Sequence, residues 1–372
     1  MKSDLEIYEH ANLIISAISK EISQKYQELN GGDLKVSWHE SIAFNAYAHI
    51  KNEKNQTPDH AVGLHYELAR KLYHDCVEFY EFINIDSVAN NLQNLPEFIL
   101  HFPTGIDKDA AIDYMFVASF SWVFFHECGH LSQGHKFVRS EYLNNEKYTH
   151  DQIHESTSSE SRKLSEEESL ISHVTEFAAD YHATLMGISG LIHNCLHSDI
   201  QISHTDKVDL VLKINTLYLL GINLVFYNFH EKFFTECNFE FTTSHPHPLL
   251  RVGRLITLNI EYFDLINNSN FFNHKFDKLH LTTVGADCSI LAYNYWCWSR
   301  NLILDIDNSH LGINDYSNPN LLQYYNRIIT AWDKVLPTID LLFDHEEVYL
   351  MVFSKQFRTL TRNDQITNNP RE

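Results

Sequence analysis

Residues 107–135 read DKDAAIDYMFVASFSWVFFHECGHLSQGH. Asp107 is a preferred N-cap residue type, and residues 114–125 behind it are almost wholly apolar. Gly134 stands where a C-cap glycine belongs. The stretch predicts one long core helix over about 107–132. Its apolar run, about 12 residues, is too short to cross a bilayer. Working outward, residues 4–30 carry a helical pattern in Leu5, Tyr8, Leu13, Ile14, Ile18, Ile22 and Tyr26. Residues 34–50 look extended and predict a hairpin or a pair of edge strands. Thr57-Pro58 reads as a helix start, with Ala61, Leu64, Leu68, Leu72, Cys76 and Tyr80 continuing to about 84. Further helices are predicted over 166–188, 206–234, 248–264, 286–304, 319–343 and 345–360. The chain has 12 Gly and 8 Pro in 372 residues, too few for many short strands and turns. The fold class is therefore mainly α, with a small β element before the 107–132 helix.

Composition narrows the function. A net charge of −21 gives no basic footprint for nucleic acid. Six cysteines, at 76, 128, 195, 237, 288 and 297, form no CxxC pair and read as reduced core residues. The N-terminus MKSDLEIYEH carries acids where a signal peptide needs a basic and then an apolar region. These features predict a cytoplasmic protein that binds neither membrane nor nucleic acid.

The last turn of the long helix holds His126-Glu127-Cys128-Gly129-His130, an HExxH motif. Residues i and i+4 share a helix face, so two imidazoles there can reach one Zn²⁺, with Glu127 beside them as general base. With 24 histidines the motif alone is cheap, arising in roughly one chain in ten of this composition. Its context adds to it. An HExxHxxGxxH extension would need Gly and His where Gln133 and Lys136 stand, so the third ligand must lie elsewhere. Residues 173–186, HVTEFAADYHATLM, offer Glu176 as a ligand, with Asp180 one turn on to accept a ring N–H of a ligand histidine. Ala179 and Ala183 would let this helix approach the HExxH helix closely. Residues 244–251, SHPHPLLR, place His245 before a Pro-started helix and Arg251 inside it, where the pair could stabilise an oxyanion. Cys128 and the stretch AYNYWCW (292–298) read as packing, and the tract 156–169 as a solvated loop.

The order HExxH, ExxAD, HPxxxxR resembles that of glutamate-zincin peptidases, and most of all the Lit-type phage-exclusion peptidases. The likeness rests on the apolar helix entering His126-Glu127-x-x-His130, on Gln133 and His135, on residues 179–184 (ADYHAT), and on His245-Pro246 followed by Arg251. It covers about residues 112–255. The longer gap between His130 and Glu176 and the C-terminal helical part depart from the pattern. The resemblance implies a zinc endopeptidase with metal ligands His126, His130 and Glu176. Glu127, His245 and Arg251 would serve catalysis, and Asp180 would orient a ligand histidine. It further implies a protein substrate, with elongation factor Tu as the candidate, and a phage-derived trigger. On that reading residues 1–265 are a zincin domain with a polar insertion at about 139–166. Residues 266–362 are a helical region packed on it, and 363–372 a flexible tail. The alternatives are a metal-stabilised interaction protein without catalysis, or a zincin with a housekeeping or repressor-processing target.

Overall fold

The computed structural model describes residues 2–30, 32–50, 59–85, 103, 105–142, 152–154, 164–197, 204–229, 239–269, 275–302, 317–342 and 350–367. Helix α1 (Asp4–Asn30) leads to strands β1 (Asp33–His39), β2 (Ala46–Ile50) and β3 (Asp59–His65), then α2 (Tyr66–Ile83). The HExxH helix is α3 (Lys108–Ser132), followed by α4 (His135–Tyr142), β4 (Gln152–His154) and α5 (Glu166–His197). After them come α6 (His204–Asn228), α7 (Pro248–Asn268), α8 (Lys278–Ser299), α9 (Pro319–Leu342) and α10 (Lys355–Thr367). The chain is mainly α with a small mixed sheet near the N-terminus, the class its sequence predicts.

The sheet order is β1-β3-β2-β4, with β1 parallel to β3 and the other pairs antiparallel. This corrects two expectations. Strands β1 and β2 do not pair with each other, because β3 lies between them. Residues 59–65 are strand, and the helix starts only at Tyr66; Thr57 and Pro58 lie outside the described residues. Ala61, Leu64 and Leu68 satisfy a helical spacing, but Val62 and Leu64 also alternate with Ala61 and Gly63 at the strand period. Gly63 settles the matter locally: the Tyr47 ring of β2 lies across it, and a Cβ there would sit 2.2 Å from Tyr47 Cζ. Leu34, Val62, Leu64, Ala46, Ala48 and Ile50 bury the inner sheet face.

Two further boundaries move. Residues 350–354 are not helical, and Arg254 Nη2 donates to the Val352 carbonyl (3.0 Å). Helix α10 continues to Thr367, into the segment expected to be a flexible tail; residues 368–372 lie outside the described part. Of the 139–166 insertion, α4 takes its start and β4 a short piece, while 143–151 and 155–163 lie outside the described residues.

Helix α3 lies at the centre. Asp107 caps it, its side chain accepting from Ala110 N (2.8 Å). It packs most extensively on α5 and α6. Both approaches are closed by a glycine: a Cβ on Gly129 would lie 3.0 Å from Ala179 Cα of α5, and one on Gly221 of α6 would lie 2.5 Å from Met115 O. One helix among the described residues, α6, is apolar enough to cross a membrane by length and composition, but 83% of that stretch is buried in the fold. The core has two parts. The larger joins α1, the sheet, α2, α3, α6, α7 and α8; the smaller joins α9 and α10 to Phe241, Leu250 and the start of α5. Helix α5 serves both, with Ile171, Val174 and Phe177 in the smaller and Ala183, Ile188 and Ile192 in the larger. Along the helix, Asp180 falls between these two sets and Glu176 one turn before it, beside Phe177.

Candidate metal centre

The end of α3 and the middle of α5 bring His126, His130 and Glu176 together with no solvent exposure of any of the three. His126 Nε2 and His130 Nε2 are 3.0 Å apart. Glu176 Oε2 is 3.5 Å from His126 Nε2, and Oε1 is 3.5 Å from His130 Nε2. A tetrahedral ion with bonds near 2.0–2.1 Å holds its ligand atoms about 3.4 Å apart, so these spacings fit one cation.

The surrounding hydrogen bonds fix which ring nitrogens carry protons. Gln133 Nε2 donates to Ala178 O (3.1 Å), which turns Gln133 Oε1 toward His135. His135 Nε2 must then be the donor to Oε1 (3.3 Å), leaving His135 Nδ1 as an acceptor. Burial, with the His130 ring and the Arg139 guanidinium beside it, pushes the His135 pKa far down and keeps it neutral. His130 therefore donates from Nδ1 to His135 Nδ1 (2.7 Å) and turns a lone pair inward at Nε2. His126 Nδ1 faces Asp180 Oδ1 at 2.9 Å, and a proton held on Nδ1 toward that carboxylate would leave the His126 Nε2 lone pair inward. Two lone pairs and a carboxylate thus converge in a dry site. Glu176 Oε2 accepts no hydrogen bond. Such a set repels itself unless a cation lies within it, so the donor chemistry fits a metal ion.

Arg251 clamps Asp180 through Nε (2.9 Å) and Nη2 (2.6 Å). Arg251 Nη2 is also 3.7 Å from Glu176 Oε2. Its guanidinium thus reaches the site mainly through Asp180 and His126. His245 Nε2 stands 3.8 Å from Glu176 Oε2, and His245 Nδ1 is 2.9 Å from Ser244 Oγ. Glu127 is fully buried on the same turn of α3. Burial, helped by the adjacent Glu127, pushes the Cys128 thiol up, so it is no thiolate at neutral pH and its role is packing.

Sequence reasoning missed two supports. Arg139 on α4 donates from Nη2 to Glu176 Oε1 (2.7 Å) and from Nε to Thr175 Oγ1 (2.9 Å). It follows His130 by nine residues across the Gly134 turn (φ 59°), and no local motif marks it. The second support holds the His245 segment. His173 Nε2 donates to Thr243 O (3.1 Å) and its Nδ1 accepts from Tyr324 Oη (2.9 Å). Ser172 Oγ donates to Ser244 O (2.6 Å), and Phe241 stacks on Tyr324 with centroids 4.8 Å apart. Helix α9, far away in sequence, therefore steadies His245.

Comparison of the chain with protein-family models, curated proteins and solved structures finds no match in any of the three. What the geometry establishes is a buried His-His-Glu group that could hold a metal ion, in a mainly helical fold, consistent with an HExxH-type site.

Proposed function

We propose that this chain is a zinc-dependent endopeptidase acting on a protein inside the cell. The observation that carries the reading is the convergence of His126 Nε2, His130 Nε2 and the Glu176 carboxylate beside Glu127. Two imidazoles and one carboxylate suit Zn²⁺, and three protein ligands are the number that catalytic zinc sites use. Zinc held there would supply Lewis acidity, making a water acidic near neutral pH and polarising a peptide carbonyl. The Glu127 carboxylate accepts the proton of the attacking water and passes it to the leaving amine. His245 offers its Nε2–H, with Ser244 Oγ donating to Nδ1, to the oxygen on which negative charge develops. Asp180, clamped by Arg251, fixes the His126 ring, and His135 with Gln133 fixes that of His130.

The order of the three motifs supports a Lit-type activity, with elongation factor Tu as the candidate substrate and a phage-derived trigger. The setting would be the cytoplasm and the outcome growth arrest. The net charge of −21 accords with an enzyme that avoids DNA and anionic membranes. The deciding experiment is Glu127→Gln: stoichiometric zinc is retained, while cleavage falls by about 10²–10⁴-fold. It is read by metal analysis and by new protein N-termini in lysate, with and without phage infection. A variant as productive of new termini as the wild type overturns the reading. Full burial of the three ligands favours one rival, a metal-stabilised interaction protein. That rival expects chelation to lower the melting temperature while Glu127→Gln changes no phenotype.

A further inference from the structure

Both oxygens of Glu176 face the ligand histidines at the same distance: Oε2 lies 3.5 Å from His126 Nε2 and Oε1 lies 3.5 Å from His130 Nε2. Nothing in that placement stops the carboxylate from chelating an ion with both oxygens. Two imidazoles and a chelating carboxylate already supply four ligand atoms, the usual zinc complement, and leave no place for water or substrate. The two oxygens differ in their neighbours: Oε2 has Arg251 Nη2 at 3.7 Å and His245 Nε2 at 3.8 Å, both beyond hydrogen-bond reach. Oε1 accepts from Arg139 Nη2 at 2.7 Å, whereas Oε2 accepts no hydrogen bond.

We propose that Arg139 is a positioning residue that reserves Glu176 Oε1, so that Glu176 binds the metal through Oε2 alone and one coordination position stays open. The inference rests on the metal-site reading of His126, His130 and Glu176. The guanidinium suits the task because it presents its donors as a rigid fork. A second prong lies beside the first without touching Glu176: Arg139 Nε donates to Thr175 Oγ1 (2.9 Å), whose own hydroxyl donates to Ser172 O (2.8 Å) on the same helix. Arg139 sits on α4 beyond the Gly134 turn, so the hinge that ends α3 also delivers the group that guards the third ligand. The positive charge of the Arg139 guanidinium also draws electron density from Oε1, which weakens that oxygen further as a ligand.

The test uses the full chain loaded with Co²⁺ and the Arg139→Met variant, which keeps the aliphatic stem and deletes the donors. The wild type is expected to show the intense visible bands of four-coordinate cobalt and to bind azide at the open position. Arg139→Met is expected to keep cobalt, lose band intensity as the carboxylate chelates, and bind azide about 10-fold more weakly. Arg139→Lys, with one donor left for Oε1, restores both, and Thr175→Val, which removes only the second prong, changes neither. Equal spectra and equal azide affinity in wild type and Arg139→Met overturn the proposal, as does a Thr175→Val variant that behaves like Arg139→Met. A crystal structure of zinc-loaded wild-type protein with both Glu176 oxygens on the metal overturns it whether or not the variants fold. A wild-type chain that takes up no cobalt or zinc fails at the metal site itself, a result distinct from these.

Discussion

Helices α3 and α6 look alike in hydropathy. Each is 25 residues long, mostly apolar and buried along nearly its whole length. Their polar side chains separate them. In α6 the polar side chains are paired with one exception: Asn215 exchanges amide hydrogen bonds with Asn259 (2.7 and 3.3 Å), Tyr227 Oη meets Ser289 Oγ (3.3 Å), and Asn223 Nδ2 donates to Leu219 O (2.7 Å) while its Oδ1 alone accepts nothing. The first part of α3 is similar, with Ser119 Oγ donating to Phe116 O (2.9 Å). Its last turn is different, because two inward lone pairs face a carboxylate. Hydropathy sees two core helices; a count of donors against acceptors sees one scaffold helix and one that needs a cation.

The largest effect should come from breaking the acceptor excess. Glu176→Ala is expected to abolish stoichiometric zinc binding and to cost roughly 2–4 kcal/mol of stability, since Arg139 and Arg251 lose a buried counter-charge. In α6, replacing Asn215 and Asn259 together by leucine is expected to leave zinc content unchanged and to move stability little, because both partners of a neutral pair go at once. Metal analysis and denaturant unfolding on both variants read the contrast. If the Asn pair mattered to metal uptake, the distinction between the helices would collapse. The two glycines give a finer contrast. Gly221→Ala drives a Cβ to 2.5 Å from the Met115 carbonyl and should cost about 2–3 kcal/mol with little change in metal affinity. Gly129→Ala meets Ala179 Cα at 3.0 Å and should cost less, about 1–2 kcal/mol. It should nonetheless weaken zinc about 10-fold, because Ala179 lies between Glu176 and Asp180. Chelator competition distinguishes the two.

Much of this was legible in the sequence for a physical reason. HExxH and ExxAD are helical offsets, so the 3.6-residue period alone places His126 with His130 and Glu176 with Asp180. Gly129, Ala179 and Ala183 foretell a close α3–α5 contact. The rest depends on the chain returning from afar. Arg139 is brought back by one left-handed glycine, and Tyr324 reaches His173 across 151 residues. Neither has a periodic signature. Residues 59–65 misled because their apolar positions fit two periods, and pairing with β1 and β2 selects the strand.

Acid should separate the two helices with the smallest effect. Around α3 lie buried neutral histidines. Burial, with the His245 ring next to it, lowers His173 to about 3, and burial with Lys136 lowers His60 to about 4. Around α6, burial pushes the Tyr218 and Tyr227 hydroxyls up, so they stay neutral through the whole acid range. A histidine with a folded pKa below its unfolded value of about 6.5 binds more protons when unfolded. Its stability contribution is therefore complete above about pH 6.5 and is lost as pH falls toward the folded value. The loss is at most about 1.4 kcal/mol per pH unit for each histidine. In the chelated protein, where protons do not compete with metal, amide exchange between pH 7 and 5 should accelerate first in α5 beside His173 and in β3 around His60. Helix α6 should stay protected until global unfolding. Uniform acceleration across α5 and α6 would mean that these buried histidines are not what acid attacks, and that the polar balance along α6 confers no local resistance.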